Sequence, residues 1–138
     1  MKTNTIIITL LICVGTFTSS FSQETDYAKV EKTVNYYLVG GTIGDYNLLA
    51  RAFHKDATMK YISDGEYKEV KALDFFEKAI VQGEKSNRIT KVISINISGN
   101  AASATLQINY PTSSITDYMN LLKIDGDWKI VNKVFHRN

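Results

Sequence analysis

Cysteine is almost absent from this chain of 138 residues, which contains one, Cys13. That cysteine lies within residues 1–22, where a single charge, Lys2, precedes a short apolar run and small residues then lead to Gln23. This order is typical of a secretory signal peptide, and the apolar run is shorter than the ~18–20 residues that a membrane-spanning helix needs. We therefore expect cleavage near Gln23, one mature domain over residues 23–138, a periplasmic or secreted location, and no membrane attachment after cleavage.

A mature chain without cysteine cannot form disulfides, and it has neither a thiol nucleophile nor a cysteine metal site. Its stability must come from a hydrophobic core, and the 44% of hydrophobic residues in the full chain is ordinary for a single soluble domain. A strong charge of either sign is also missing, because loss of Lys2 lowers the net charge from +2 to +1. With no basic run and no basic–aromatic stripe, we predict no nucleic-acid partner.

Several motifs that carry chemistry are missing as well. The sequence has no nucleophile elbow, no phosphate-binding loop and no dinucleotide fingerprint. Its two histidines, His54 and His136, lie outside the Glu-x-x-His and His-Glu-x-x-His spacings that hold metals. The sequence therefore predicts neither a metal site nor a cofactor.

Three segments have the apolar spacing of amphipathic helices. The first begins after Thr25 and is expected to end at Gly40-Gly41, because glycine leaves a helix at low cost. The second begins at Asp45, which can cap it, and the third covers residues 71–82. Helices therefore occupy most of the first half of the mature chain.

The other segments alternate apolar and polar residues, as strands do. Turn residues separate the predicted strands, which cover residues 57–62, 66–70, 90–98, 101–110, 115–124 and 128–136. Strict alternation along the last of these predicts one shared face for Trp128, Ile130, Asn132, Val134 and His136. Helices followed by a meander of strands predict an α+β fold, with the helices packed on one face of a strongly bent antiparallel sheet.

Four parts of the sequence resemble the nuclear transport factor 2-like superfamily, and within it a branch of small bacterial proteins described as "putative lumazine-binding". They are Tyr37 with Gly44-Asp45, residues 53–57, Asp117-Tyr118 and residues 122–130. The resemblance implies a cone-shaped fold with an internal pocket and a homodimer that pairs through the sheet. A run without ionisable side chains, residues 94–109, would suit such an interface, where charged residues are depleted.

The same superfamily contains the ketosteroid isomerases, and the resemblance implies roles position by position. The tyrosine that donates to the developing oxyanion in those enzymes falls at Tyr37. Their general-base aspartate falls at Tyr61, and a phenol titrates near pH ~10 where a carboxyl titrates near ~4, so Tyr61 cannot readily shuttle a proton between carbons. A second acid of those enzymes falls near Asp117, which is the candidate for a replacement base.

Six residues are candidates for contact with a ligand in the pocket: Tyr37, Tyr61, Asp117, Asn132, His54 and His136. Tyrosines and histidines supply hydrogen-bond donors, and a buried amide such as that of Asn132 needs a partner or a ligand. Each candidate also has a structural explanation, with Tyr37 as a core residue and the two histidines at the edges of the fold. We assign no residue a catalytic role from the sequence.

Two functions remain open at this point. The first, which the missing aspartate favours, is an exported domain that binds an unknown small, largely apolar or aromatic molecule without acting on it. The second is a cofactor-independent isomerase, dehydratase or cyclase that acts on a small organic substrate. A carboxylate or a histidine within hydrogen-bond reach of Tyr37 would favour catalysis, whereas phenols and alkyl groups alone would favour binding.

Overall fold

The structure, a computed structural model, describes residues 24–138, so the predicted signal peptide lies outside the described residues. In chain order the elements are α1 (Asp26–Ile43), α2 (Tyr46–Ala50), β1 (Phe53–Ser63), β2 (Glu66–Lys71), α3 (Ala72–Ala79), β3 (Ile89–Ser98), β4 (Ala101–Asn109), β5 (Ser114–Ile124) and β6 (Asp127–Arg137). Of the helices in this part of the chain, none combines the length and the apolarity that crossing a bilayer requires.

The six strands form one sheet in the order β2-β1-β6-β5-β4-β3. Neighbouring strands run antiparallel except β1 and β6, which pair in parallel because the chain returns to β1 only with its last strand. The helices cover one face of the sheet, which we call the inner face, and the core lies between them. The predicted α+β class, with helices on one face of a bent and mainly antiparallel sheet, is confirmed.

The first helix begins as predicted but ends later than predicted. The Thr25 side chain accepts a hydrogen bond from the backbone nitrogen of Ala28 at 3.2 Å, which caps α1. The expected end at Gly40-Gly41 is wrong, because the helix continues to Ile43 and ends at Gly44, whose φ of +69° is left-handed. A Cβ atom on Gly40 would lie 2.5 Å from the backbone nitrogen of Leu49, so this glycine lets α2 approach α1 closely.

The second and third helices follow the predicted pattern with one shortening. The Asp45 carboxylate caps α2 by accepting from the backbone nitrogen of Leu48 at 2.9 Å. The third helix ends at Ala79 instead of near Gly83, because Ile80 already has an extended backbone and packs against the core. The segment from Ile80 to β3 is therefore free of helix and runs along the open side of the cone.

A β-bulge in β6 reverses the predicted faces of the end of that strand. Leu121 pairs with Ile130, but the next residue back along β5, Asn120, pairs with Asn132, so Val131 is an extra residue. Because side chains alternate with period two, one extra residue moves every later side chain to the opposite face. The prediction of one shared face is therefore wrong: Trp128 and Ile130 lie on the inner face, whereas Asn132, Val134 and His136 lie on the outer face.

Candidate functional site

A cavity of about 380 Å³ opens between the helices and the inner face of the sheet. Its apolar wall comes from α3 and the sheet and includes Met59, Phe75, Phe76, Ile108, Ile115 and Phe135. Its polar wall includes Tyr37 from α1 and Lys133 from β6. A largely apolar cavity with a few convergent polar groups is the usual form of a small-molecule site.

Three polar side chains meet at the inner end of this cavity, and we call Tyr37, Asp117 and Lys133 the buried cluster. The Asp117 side chain has no exposure at all and that of Lys133 is 3% exposed. The Tyr37 hydroxyl donates to Asp117 Oδ2 at 2.8 Å, and Lys133 Nζ donates to Asp117 Oδ1. Tyr37 and Lys133 line the cavity, and Asp117 connects them from behind.

Burial shifts the proton affinities of two members of the buried cluster. Desolvation lowers the pKa of Lys133 below its ordinary value, while the Asp117 carboxylate opposes that shift. Desolvation, followed by the charge of Asp117, raises the pKa of the Tyr37 phenol well above its ordinary value. Tyr37 therefore remains a hydrogen-bond donor over the whole physiological range, and Lys133 releases its proton more easily than an exposed lysine does.

Aromatic rings surround the ammonium group of Lys133. Its Nζ lies 4.0 Å from the centroid of the Phe135 ring and 5.6 Å from that of Tyr37, within the range of cation–π contacts. The ring of Phe135 also stacks on that of Tyr61, with ring centroids 4.8 Å apart. Tyr61 is thus half-buried behind the cavity wall, where it supports Phe135 instead of contacting the buried cluster.

An arginine is fixed at the side of the cavity by neutral partners. Arg88 donates to Thr42 Oγ1 at 2.9 Å, to the Tyr110 hydroxyl at 3.1 Å and to the Leu38 carbonyl at 3.0 Å. Within residues 24–138, no carboxylate lies at ion-pair distance from this half-buried guanidinium. Arg88 is therefore held rigidly and keeps its positive charge uncompensated.

The lining of the cavity is positive overall. It includes the cations Lys85, Arg88, Lys133 and Arg137 and the carboxylate Glu84. The Arg137 guanidinium lies 5.7 Å from the ring centroid of Tyr110, and Arg88 approaches the same ring. A cleft lined mainly by one sign of charge attracts ligands of the other sign, so this cavity favours an anionic ligand.

The structure brings two of the six predicted site residues together, Tyr37 and Asp117. Tyr61 lies behind the cavity wall, and the other three lie elsewhere. Asn132 is on the outer face, where its amide donates to Thr58 Oγ1 at 3.2 Å. His54 accepts a hydrogen bond at Nδ1 from the backbone nitrogen of Asp56, in the first part of β1. His136 is exposed on the outer face, near the end of β6.

Residues 24–138 contain no group of three or more His, Asp or Glu side chains placed to hold a metal ion. Sequence reasoning missed Lys133, Arg88 and Arg137, which all line the cavity, and strict alternation placed Lys133 on the outer face. A signal for the bulge was nevertheless present. Ile130 and Val131 are adjacent apolar residues, and the bulky Phe135 has the opposite parity to Trp128.

Comparisons with known proteins agree with this architecture. An NTF2-like protein of unknown function from Shewanella baltica os155 is 25% identical with a TM-score of 0.73, covering 81% of this chain and 93% of its own. An NTF2-like protein of unknown function from Methylobacillus flagellatus KT is 27% identical with a TM-score of 0.73, covering 82% and 92%. A Cladobotryum sp protein named Aldolase FrzH is 28% identical over 114 residues, 80% of this chain and 90% of that protein.

A family model also matches this sequence. The family is described as "Putative lumazine-binding", and its model covers residues 25–136, from the cap of α1 almost to the end of β6. The match confirms the resemblance that the sequence segments predicted. The chain belongs to this "Putative lumazine-binding" family, within the NTF2-like superfamily.

Proposed function

We propose that this protein acts on a small carbonyl compound held in the cavity and catalyses proton transfer at the carbon next to the carbonyl, without a cofactor. The observation that carries this proposal is the hydrogen bond from Tyr37 to the fully buried carboxylate of Asp117, to which Lys133 also donates. A carboxylate within reach of Tyr37 is the feature that separates a catalytic pocket from a pocket of phenols and alkyl groups.

The buried cluster has the parts that such a reaction needs. Lys133 faces the cavity and can exchange a proton with the substrate, while Asp117 behind it accepts or returns that proton. The Tyr37 hydroxyl fixes the carboxylate, and burial keeps competing water away. Tyr37 is therefore a positioning residue, Asp117 relays the proton, and Lys133 is the group that contacts the substrate.

The comparisons support a small-molecule substrate and a carbonyl reaction. The description of the family names a small heteroaromatic ligand, which is consistent with a binding cavity. The relative named Aldolase FrzH matches over most of both chains, and an aldol reaction begins by removing a proton next to a carbonyl. The proposed chemistry is thus of the same general class as the reaction in that name.

Exchange of hydrogen for deuterium tests the proposal directly. The purified protein is incubated in D₂O with pyruvate, levulinate or dihydroxyacetone, and loss of the proton signals next to the carbonyl is followed by NMR. We expect exchange above the buffer rate that is lost in Lys133→Met. Exchange should persist in Lys91→Met, because Lys91 is exposed on β3 away from the cavity. Exchange at the buffer rate with all three compounds would contradict the proposal.

Binding without turnover is the second candidate function, and one observation favours it. Tyr61 occupies the position where the resemblance to ketosteroid isomerases implies the general base, and it stacks on Phe135 without a carboxylate beside it. Under this function, native mass spectrometry of protein purified from its own host would show a co-purifying molecule. The same protein would leave the exchange rates of the carbonyl compounds unchanged.

We also propose that the mature protein is exported and forms a homodimer through the outer face of its sheet. The signal-like residues 1–22 support export, and N-terminal sequencing of the secreted protein should start near Gln23. The outer face of β4 and of residues 94–98 of β3 carries no charged side chain, which supports pairing, and beside it Tyr118 and Val134 are 53% and 41% exposed. Light scattering at micromolar concentration should give the mass of two chains, and a monomer throughout would contradict this arrangement.

A further inference from the structure

The amine of Lys133 is in an unusual position for a lysine. Its side chain is almost fully buried, yet it forms part of the cavity wall. Among the described residues its hydrogen-bond acceptor is Asp117, so an ammonium group here would direct its other two N–H bonds toward the cavity or the aromatic rings. A lysine that served only to neutralise Asp117 would not need to line a cavity.

Nucleophilic attack by a lysine requires a neutral amine and a nearby group that takes its proton. Desolvation lowers the pKa of Lys133, which increases the neutral fraction, and Asp117 is in place to accept the proton. The groups that face Lys133 include the Asp117 carboxylate on β5 and the Tyr37 phenol on α1. The charges of Arg88 and Arg137 also lower its pKa.

The same cavity indicates the charge of the molecule that this amine would meet. Arg88 keeps an uncompensated charge because its partners are neutral, and the Arg137 guanidinium lies 5.7 Å from the ring centroid of Tyr110. Guanidinium groups bind carboxylates through paired hydrogen bonds, and two of the five N–H bonds of Arg88 remain unused by its three neutral partners. A ligand with a carboxylate would complete this part of the site.

We propose that Lys133 forms an imine with the carbonyl carbon of a small oxo acid, whose carboxylate pairs with Arg88 and Arg137. This inference rests on the proposed function and adds a covalent intermediate and a substrate class to it. Asp117 takes a proton from the Lys133 ammonium, the nitrogen lone pair attacks the carbonyl carbon, and that proton passes to the carbonyl oxygen. The nitrogen then loses a second proton to Asp117, which passes it to the new hydroxyl group. The C–O bond breaks, water leaves, and the nitrogen lone pair forms the C=N bond of a protonated imine. No electrons enter or leave, so the step needs no oxidant or reductant.

Reductive trapping tests this step. The full protein is incubated with pyruvate or levulinate, in which the carbonyl and the carboxylate are spaced differently, and is then reduced with sodium borohydride. We expect one reduced adduct per chain, located on Lys133 by peptide mass spectrometry of the unaltered protein. Trapping should increase with pH and reach its midpoint at a lower pH than for exposed lysines, because burial favours the neutral amine.

Matched variants separate the parts of the proposal. Lys133→Met should abolish the adduct, and Lys91→Met should retain it. Arg137→Gln, at an exposed position, should reduce trapping of the oxo acids more than it reduces trapping of the neutral ketone butanone. No adduct on Lys133 with either oxo acid, or equal labelling of Lys91 and Lys133, would overturn the inference.

The two proposals fail in distinguishable ways. Deuterium exchange without an adduct would overturn the imine and leave proton transfer by the buried cluster in place. An adduct on Lys133 without exchange would support the imine and contradict the proposed proton transfer. Because the site of the adduct is mapped on the unaltered protein, the inference remains testable even if Lys133→Met does not fold.

Discussion

Removal of the Tyr37 hydroxyl is expected to have different effects under the two candidate functions. The hydroxyl donates to Asp117 at 2.8 Å, and its pKa is raised, so it stays protonated. If the buried cluster transfers protons, Tyr37→Phe should slow deuterium exchange about a hundredfold, the lower end of what acid–base groups contribute. If the protein only binds, the same change should weaken binding by about 0.5–1.5 kcal/mol.

Tyr36 provides the control for that comparison. Its hydroxyl accepts a hydrogen bond from Arg51 at 3.0 Å, and Tyr36 does not line the cavity. Tyr36→Phe removes the same atom from the neighbouring residue, so we expect exchange at the rate of the unaltered protein. Equal slowing in both variants would point to a general loss of structure instead of a role for Tyr37.

Asp117 and Lys133 also contribute to stability, because each compensates the charge of the other where both side chains are buried. Asp117→Asn leaves the Lys133 ammonium buried without a counter-charge, and we expect the free energy of unfolding to fall by about 3–5 kcal/mol. Replacing both partners, Asp117→Asn with Lys133→Met, should restore part of that loss. Urea unfolding at neutral pH compares both variants with the unaltered protein. Exposed ion pairs contribute less than about 1 kcal/mol to the free energy of unfolding. A loss of that size in Asp117→Asn would show that solvent reaches the Asp117–Lys133 pair.

At the scale of elements, the contact between α1 and α2 depends on a missing side chain. A Cβ atom on Gly40 would lie 2.5 Å from Leu49 N and 2.8 Å from Asp45 O, both of which are backbone atoms that cannot rotate away. We expect Gly40→Ala to lower the free energy of unfolding by about 1–3 kcal/mol, as other overpacked sites do. Val39→Ala, at a neighbouring position that is 45% exposed, should change it much less. Thermal unfolding compares the two, and an equal effect would contradict the close approach.

The same elements show which features could be predicted from the sequence. Caps such as Thr25 and Asp45 were predictable because the residue type and the hydrogen bond that it accepts are local. The end of α1 was not, because Gly40 is required by a contact with another helix and not by its own backbone. Local chemistry was therefore a sufficient guide only where no distant contact competed with it.

The candidate site was predictable in part for the same reason. Tyr37 and Asp117 lie in regular elements, so their positions followed from the segments that carried the family resemblance. Lys133 lies beyond a bulge that depends on how β6 pairs with β5, and a pattern of strict alternation cannot contain that information. Lys133, which we propose contacts the substrate, was consequently not predicted from the sequence.

At the scale of the whole molecule, the Asp26 carboxylate links the first helix to the last two strands by hydrogen bonds. Asp26, in the first turn of α1, accepts hydrogen bonds from Lys123 on β5 and from Trp128 Nε1 on β6, residues 97 and 102 positions away. Those two hydrogen bonds lower the pKa of Asp26 below its ordinary value of 3.8. A carboxyl with a lowered pKa stabilises the fold at pH values above its ordinary one, and this contribution is lost as the pH falls through the lowered value.

Acid unfolding tests that connection. We expect the stability of the unaltered protein to decline as the pH falls below about 4, and Asp26→Asn to be less stable at neutral pH but to lose less on acidification. Glu24→Gln is the control, because Glu24 is an exposed partner of Lys32 at 4.0 Å. Circular dichroism at a series of pH values follows both variants. Parallel acid-unfolding curves for Asp26→Asn and the unaltered protein would contradict a contribution of Asp26 to the pH dependence of stability.

The bulge at Val131 decides which side chains at the end of β6 face the cavity. With the bulge, Lys133 and Phe135 face the cavity, and without the extra residue Val134 and His136 would do so. Loss of one residue just after the bulge would place Val134 where Lys133 now lies and His136 where Phe135 now lies, so the cavity wall would lose its amine and gain an imidazole.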